Sequence, residues 1–125
     1  MTRTLTIKIK PLSELVDDFQ EAFKGAEQDK KFKPREGVYF TSLEAARNFL
    51  TKERIALVRA IRTKHPGSIY ELARIVDRDL KNVQQDVRLL ERHGLVRLTE
   101  KRRGEKSKVK VPEAPFGEIA LRIAI

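Results

Sequence analysis

The stretch from Thr51 to Gly94 restricts this chain more than any other feature. It carries helical apolar spacing almost throughout, yet it is cut twice, at His65-Pro66-Gly67 and at Asp77-Arg78-Asp79. Proline cannot continue the hydrogen-bond ladder and glycine tolerates positive φ, so the first cut is a stop. Each resulting helix has its own start signal. Thr51 caps the first, where Ile55, Leu57, Val58 and Ile61 give an apolar face through about Lys64. Ser68-Ile69-Tyr70-Glu71 has capping-box form and opens a second helix that buries Leu72, Ala73, Ile75 and Val76. Asp79 caps the third, which runs through about Arg92 and ends at His93-Gly94.

Strands flank this helical block. Leu95 to Thr99 alternates apolar and polar residues, Lys101-Arg102-Arg103-Gly104-Glu105 reads as a hairpin tip turned by Gly104, and Lys106 to Val111 returns. Towards the N-terminus, Leu5, Ile7 and Ile9 alternate with polar residues over 3–10 until Pro11. Leu12 to Ala26 has helical spacing with acids outside, and the polar stretch 28–36, broken by Pro34, is a linker. Val38-Tyr39-Phe40 is a short apolar strand. Thr41 to Glu44 has capping-box form, with Thr41 as the cap of a short helix to about Leu50. Residues 112–117 form a loop with two prolines, and 118–125 alternate again. The expected class is α+β, divided into an N-terminal strand-helix and linker (1–36), a helical and hairpin domain (37–111) and a C-terminal strand (112–125).

Charge has an address within this layout. The 125 residues carry a net charge of +9, while residues 1–30 hold five bases against six acids. Between Arg78 and Lys110 there are eleven bases against five acids, a surplus of six in about a quarter of the chain. Such a surplus suits an anionic partner, although a solvated basic surface would look the same from charge alone. The helix after Asp79 narrows the choice. At about 100° per residue, Leu80, Val83, Val87 and Leu90 cluster on one side. The other presents Lys81, Gln85, Arg88 and Arg92, with Asn82 beside them. Arg and Lys pair with guanine edges, Asn and Gln with adenine, and all can hold phosphates. Lys101, Arg102 and Arg103 supply a second cationic group at the hairpin tip, where an exposed charged turn that blocks sheet pairing is the plainer reading.

Three helices followed by a basic hairpin is the order of a winged helix-turn-helix. Residues 50–98 resemble the MarR- and ArsR-type winged-helix regulators, through the SIYELARIVDRD helix-turn and the VRLLERHGLV exit into the hairpin. The whole chain is similar to a group of small prokaryotic DNA-binding proteins that share a strand, an acidic helix and a "YFTSLEAARNFLTKERI"-like segment. Some of that group are encoded beside a small toxin and are taken as its antitoxin. The resemblance implies groove-facing roles for Lys81, Asn82, Gln85 and Arg88. It implies phosphate contacts for Ser68 and Tyr70, to which Arg78 in the second break is added, and a wing tip at Lys101, Arg102 and Arg103.

Other chemistry is poorly represented. Without cysteine there is no disulfide, thiolate metal site or cysteine nucleophile. His65 and His93 are far apart with no carboxylate at ligand spacing, and no glycine-rich phosphate loop is present. Neither an enzyme nor a cofactor or metal is expected. The lack of a long apolar run or signal-peptide core leads to the expectation of a cytoplasmic protein with no membrane partner. The terminal strands need a cover for Leu5, Ile7, Ile9 and for Ile119, Leu121, Ile123 and Ile125. They are expected to pair with each other, within one chain or across two, as a dimerisation element; completion of a monomer core is the alternative. The sequence thus points to a homodimeric regulator, a repressor, of pseudo-palindromic duplex DNA. The competing reading is an antitoxin or other interaction module whose main task is binding a small partner protein.

Overall fold

The computed structural model describes residues 3–13, 16–17, 20–21, 38–105 and 107–125. The architecture is α+β. Among the described residues the order is β1 (Thr4–Ile9), β2 (Val38–Phe40), α1 (Leu43–Phe49), α2 (Lys52–Lys64), α3 (Ile69–Ile75) and α4 (Leu80–Arg92). Strands β3 (Arg97–Arg103), β4 (Ser107–Glu113) and β5 (Glu118–Ile123) follow. Between β1 and β2, Leu12, Ser13, Val16, Asp17, Gln20 and Glu21 are helical. The rest of the helix expected over Leu12–Ala26, and the linker at 28–36, lie outside the described residues.

The chain forms two compact units: Met1–Thr4 with Leu50–Glu118, and Leu5–Phe49 with Ile119–Ile125. The sequence led to a different division, into three consecutive segments. Residues 38–49 group with the terminal strands because β2 pairs in parallel with β1, in the register Ile7 to Val38 and Ile9 to Phe40. The resulting sheet has the order β2-β1-β5. Backbone bonds from Gly117 N–H to the Arg3 carbonyl (2.9 Å) and from Ala124 N–H to the Ile9 carbonyl (3.0 Å) run in the same sense, so β5 is also parallel to β1. A parallel pair cannot be joined by a tight turn, and long connections separate all three strands. As the central strand, β1 buries Leu5, Ile7 and Ile9, and Val38, Ala46 and Phe49 join that core. Phe40 stacks on Phe49 with ring centroids 5.3 Å apart. The cap of α1 is Ser42, not Thr41: Ala45 N–H donates to Ser42 Oγ at 3.1 Å, and the helix opens one residue later than expected.

The other unit holds the helical block and the β3–β4 hairpin. Its caps follow the sequence reading. Thr51 Oγ1 accepts from Arg54 N–H at 3.2 Å, Ser68 Oγ from Glu71 N–H at 3.0 Å and Asp79 Oδ2 from Asn82 N–H at 3.3 Å. The Glu71 carboxylate returns to Gly67 N–H (2.9 Å) rather than to the cap residue itself. At the end of α2 the left-handed residue is His65 (φ 47°) rather than Gly67, and Pro66 then prevents the helix from resuming.

Helices α3 and α4 both end in a six-to-one closure, Arg78 N–H to the Ala73 carbonyl (3.0 Å) and Leu95 N–H to the Leu90 carbonyl (2.9 Å). Asp77 (φ 53°) and Gly94 (φ 81°) take the left-handed position in each. Leu57, Leu72, Val83, Val87 and Leu90 are fully buried, with Ile61, Ala73, Leu95 and Val96 around them. Ile75, expected in this core, is 39% exposed. The hairpin turns at Gly104 (φ 79°) and runs back further than expected, through Pro112 and Glu113 opposite Leu98 and Arg97. A two-stranded ribbon has an outer edge on each strand, where the donor that proline lacks is not required.

A candidate nucleic-acid interface

The site is built on α4. Its Asp79 cap fixes the first turn, and Val83, Val87 and Leu90 anchor one side with no exposed surface. That anchoring sets what the other side shows. Lys81, Asn82, Gln85, Arg88 and Arg92 are all exposed. Positions 81, 85, 88 and 92 follow helical spacing, so they form one row about 16 Å long at 1.5 Å per residue.

The row is free of acid because helical spacing sets the exposed Glu91 on its flank and Asp86 further round, away from the row. Asp86, in the middle of the helix, is drawn inward and only 15% of its side chain is accessible. Its Oδ1 accepts from Arg54 Nε of α2 at 3.1 Å, and its Oδ2 from Arg78 Nη2 of the α3–α4 turn at 2.8 Å. One carboxylate thus holds guanidinium groups from two other elements, and its charge is spent inside the unit. This arrangement also locates Arg78. The residue expected at phosphate is committed to Asp86, and its Nη1 is buried with no hydrogen-bond partner among the described residues. Arg78 fixes the turn that aims α4, and α4 carries the exposed cations. No local signal in the sequence gives the Arg54–Asp86 half of the clamp, because the two residues lie 32 positions apart.

The remaining expected residues divide by place. Ser68 caps α3, and its hydroxyl hydrogen is not needed for that cap. Tyr70, two residues on, is 61% exposed. Lys101 and Arg102 are exposed near the hairpin tip, while the Arg103 side chain lies outside what is described. At the hairpin base Arg97 Nη2 donates to Glu113 Oε2 at 2.7 Å. This bond holds the Glu113 carboxyl below its ordinary value, with smaller contributions from the charges of Arg97 and Lys101. Of the proposed dimerisation residues, Leu5, Ile7 and Ile9 are buried within the chain, whereas Leu121 and Ile123 are 48% and 54% exposed. Ile119 is half-buried.

The HVO_A0114 family model matches residues 49–121, more than half of the sequence. The chain belongs to the HVO_A0114 family. The match takes in α2, α3, α4 and both strands of the hairpin, so the elements that carry the exposed cations lie within the family segment. No curated protein matches the sequence. Among the described residues no group of His, Asp or Glu is arranged to hold a metal ion, and no helix is long and apolar enough to cross a membrane.

Proposed function

We propose that the Leu50–Glu118 unit is a winged helix-turn-helix, and that the protein is a sequence-specific regulator of transcription that binds double-stranded DNA. In this reading α4 enters the major groove. The hairpin is the wing, and the start of α3 touches phosphate through Ser68 and Tyr70. One observation carries the reading: α4 exposes Lys81, Asn82, Gln85, Arg88 and Arg92 in an acid-free row while its one mid-helix carboxylate is turned inward. A helix whose outer face served only solvation would gain from mixing acids and bases at i,i+4 spacing. Side chains of these kinds, presented in a row, match the donor and acceptor patterns of base edges.

A homodimer acting as a repressor on a pseudo-palindrome completes the proposal. One winged helix reads few base pairs, and a two-fold pair doubles the readout. The exposed Leu121 and Ile123 of β5 support a contact between copies; the buried side chains of β1 do not take part in it.

The test is titration of a labelled duplex, taken from the DNA upstream of the protein's own gene, at several salt concentrations. The expected result is an affinity that falls steeply with salt. Replacement of Lys101, Arg102 and Arg103 by Ala should weaken binding to all sequences and flatten the log–log slope by up to about 3, at roughly 0.9 per phosphate contact. An unchanged affinity and slope in the triple variant would remove the wing from the account. Binding that ignores salt would remove DNA.

A further inference from the structure

The three-stranded sheet has β1 at its centre and, among the described residues, β2 and β5 at its two edges. The edges differ. Strand β2 is three residues long, and an edge so short offers another chain little to pair with. Strand β5 is six residues long, and Glu118–Ile123 contains neither the proline nor the lysine that commonly blunts an edge. Its side chains show the missing neighbour: Leu121 and Ile123 are exposed, whereas Leu5, Ile7 and Ile9 of the central strand are buried.

Charge along β5 has a direction, with Glu118 at the start and Arg122 near the end. Both are exposed, and neither enters an ion pair among the described residues. At about 3.3 Å per residue they stand about 13 Å apart along the strand, too far to pair with each other. A second β5 laid antiparallel along this edge, with Ala120 on the two-fold axis, changes that. Glu118 of each copy then comes opposite Arg122 of the other, and Ile119 comes opposite Leu121. A parallel copy in register would set each charge beside its like.

We propose that the outer edge of β5 pairs antiparallel with β5 of a second copy, joining two three-stranded sheets into one of six strands. The acid and the base of β5 meet their opposites on a strand of the same sequence run the other way, which selects a second copy over an unrelated segment. This pairing gives the proposed homodimer its contact and register; it rests on that homodimer but not on DNA binding.

The experiment follows the full chain by sedimentation velocity over a concentration series, where a monomer–dimer equilibrium is expected. Glu118→Arg and Arg122→Glu should each weaken the dimer roughly tenfold, since each turns two attractive cross-strand pairs into two repulsive ones. The double variant Glu118→Arg/Arg122→Glu re-forms both pairs and should return the affinity to within about twofold of the original. A general loss of folding would not be reversed by the second change. Because the chain has no cysteine, Ala120→Cys places a single thiol on the axis. Oxidation by copper phenanthroline should then cross-link the dimer, whereas Ala124→Cys sets its two thiols about 26 Å apart and should not cross-link. A chain that is monomeric at every concentration would overturn the proposal. Unchanged affinity in the single variants, a double variant that fails to recover, or no cross-link from Ala120→Cys would overturn it as well. Monomers that bind a duplex would sink the pairing and leave the DNA reading in place. A dimer that shows the charge rescue and binds no duplex would do the reverse.

Discussion

Asp86→Ala is the perturbation whose consequence the structure specifies most fully. The carboxylate accepts one hydrogen bond from Arg54 and one from Arg78, and the three side chains are 15%, 21% and 27% accessible. Such a site is neither a surface pair, worth about 0–1 kcal/mol, nor a fully buried one, whose rupture costs about 3–5 kcal/mol. Two charge-assisted bonds at about 1.5–3 kcal/mol each set an upper bound near 6 kcal/mol. Partial solvent access and the rehydration that truncation permits lower this to about 2–4 kcal/mol. Removing the acid also takes from Arg54 and Arg78 the carboxylate they share, and Arg78 Nη1 is already buried with no hydrogen-bond partner among the described residues. Urea denaturation at neutral pH measures the loss directly. It should appear as a lower midpoint with an unchanged slope, since the surface exposed on unfolding is the same. A loss below about 0.5 kcal/mol would place the clamp among inert surface contacts and refute the reasoning. Arg54→Met combined with Asp86→Ala should cost less than the sum of the two single changes, because the second removes a partner already lost.

Three further outcomes follow from the packing, the caps and the hairpin. Leu90→Ala empties a fully buried position on the inner side of α4 and should cost about 2–5 kcal/mol in the same denaturation experiment. Ser68→Ala removes the acceptor that satisfies Glu71 N–H at the start of α3 and should cost about 0.5–2 kcal/mol, with Ser68→Asp restoring most of it. Glu113 has its folded pKa depressed from the ordinary 4.5 by the bond from Arg97, so its ionised form favours the folded hairpin. That contribution is present above the unfolded value and disappears as pH falls through the depressed one. A carboxyl-detected NMR titration should show Glu113 ionising below 4.5, and Arg97→Gln should move it back up.

Much of this fold is legible in the sequence because its signals are local. Thr51, Ser68 and Asp79 each cap the helix that follows them, since a cap depends on the next three residues alone. The inward and outward sides of α4 are likewise set by helical spacing, which is why Val83, Val87 and Leu90 are buried and Lys81, Gln85 and Arg88 exposed. What was not legible depends on contacts distant along the chain. Pairing of Val38–Phe40 with β1 places residues 38–49 with the terminal strands, and no periodicity within VYF announces a partner about thirty positions away. Arg78 is the same lesson at a single residue. Its position in a polar break suggests a phosphate contact, whereas the fold brings Asp86 within 2.8 Å and takes the charge. Ile75 shows the limit of apolar patterning in a short helix: two buried residues, Leu72 and Ala73, suffice to seat α3, and a third apolar side chain remains outside.

The central proposal, that the exposed row of α4 reads bases, is tested most directly by position-by-position affinities. Duplexes selected from a random library should yield a preferred site for the unaltered chain. Against single-base variants of that site, Gln85→Ala and Arg88→Ala should each lose discrimination of about 1–3 kcal/mol at particular positions, while affinity for unrelated DNA changes little. A uniform loss across every sequence would make these side chains phosphate contacts. No loss at all would take α4 out of the groove.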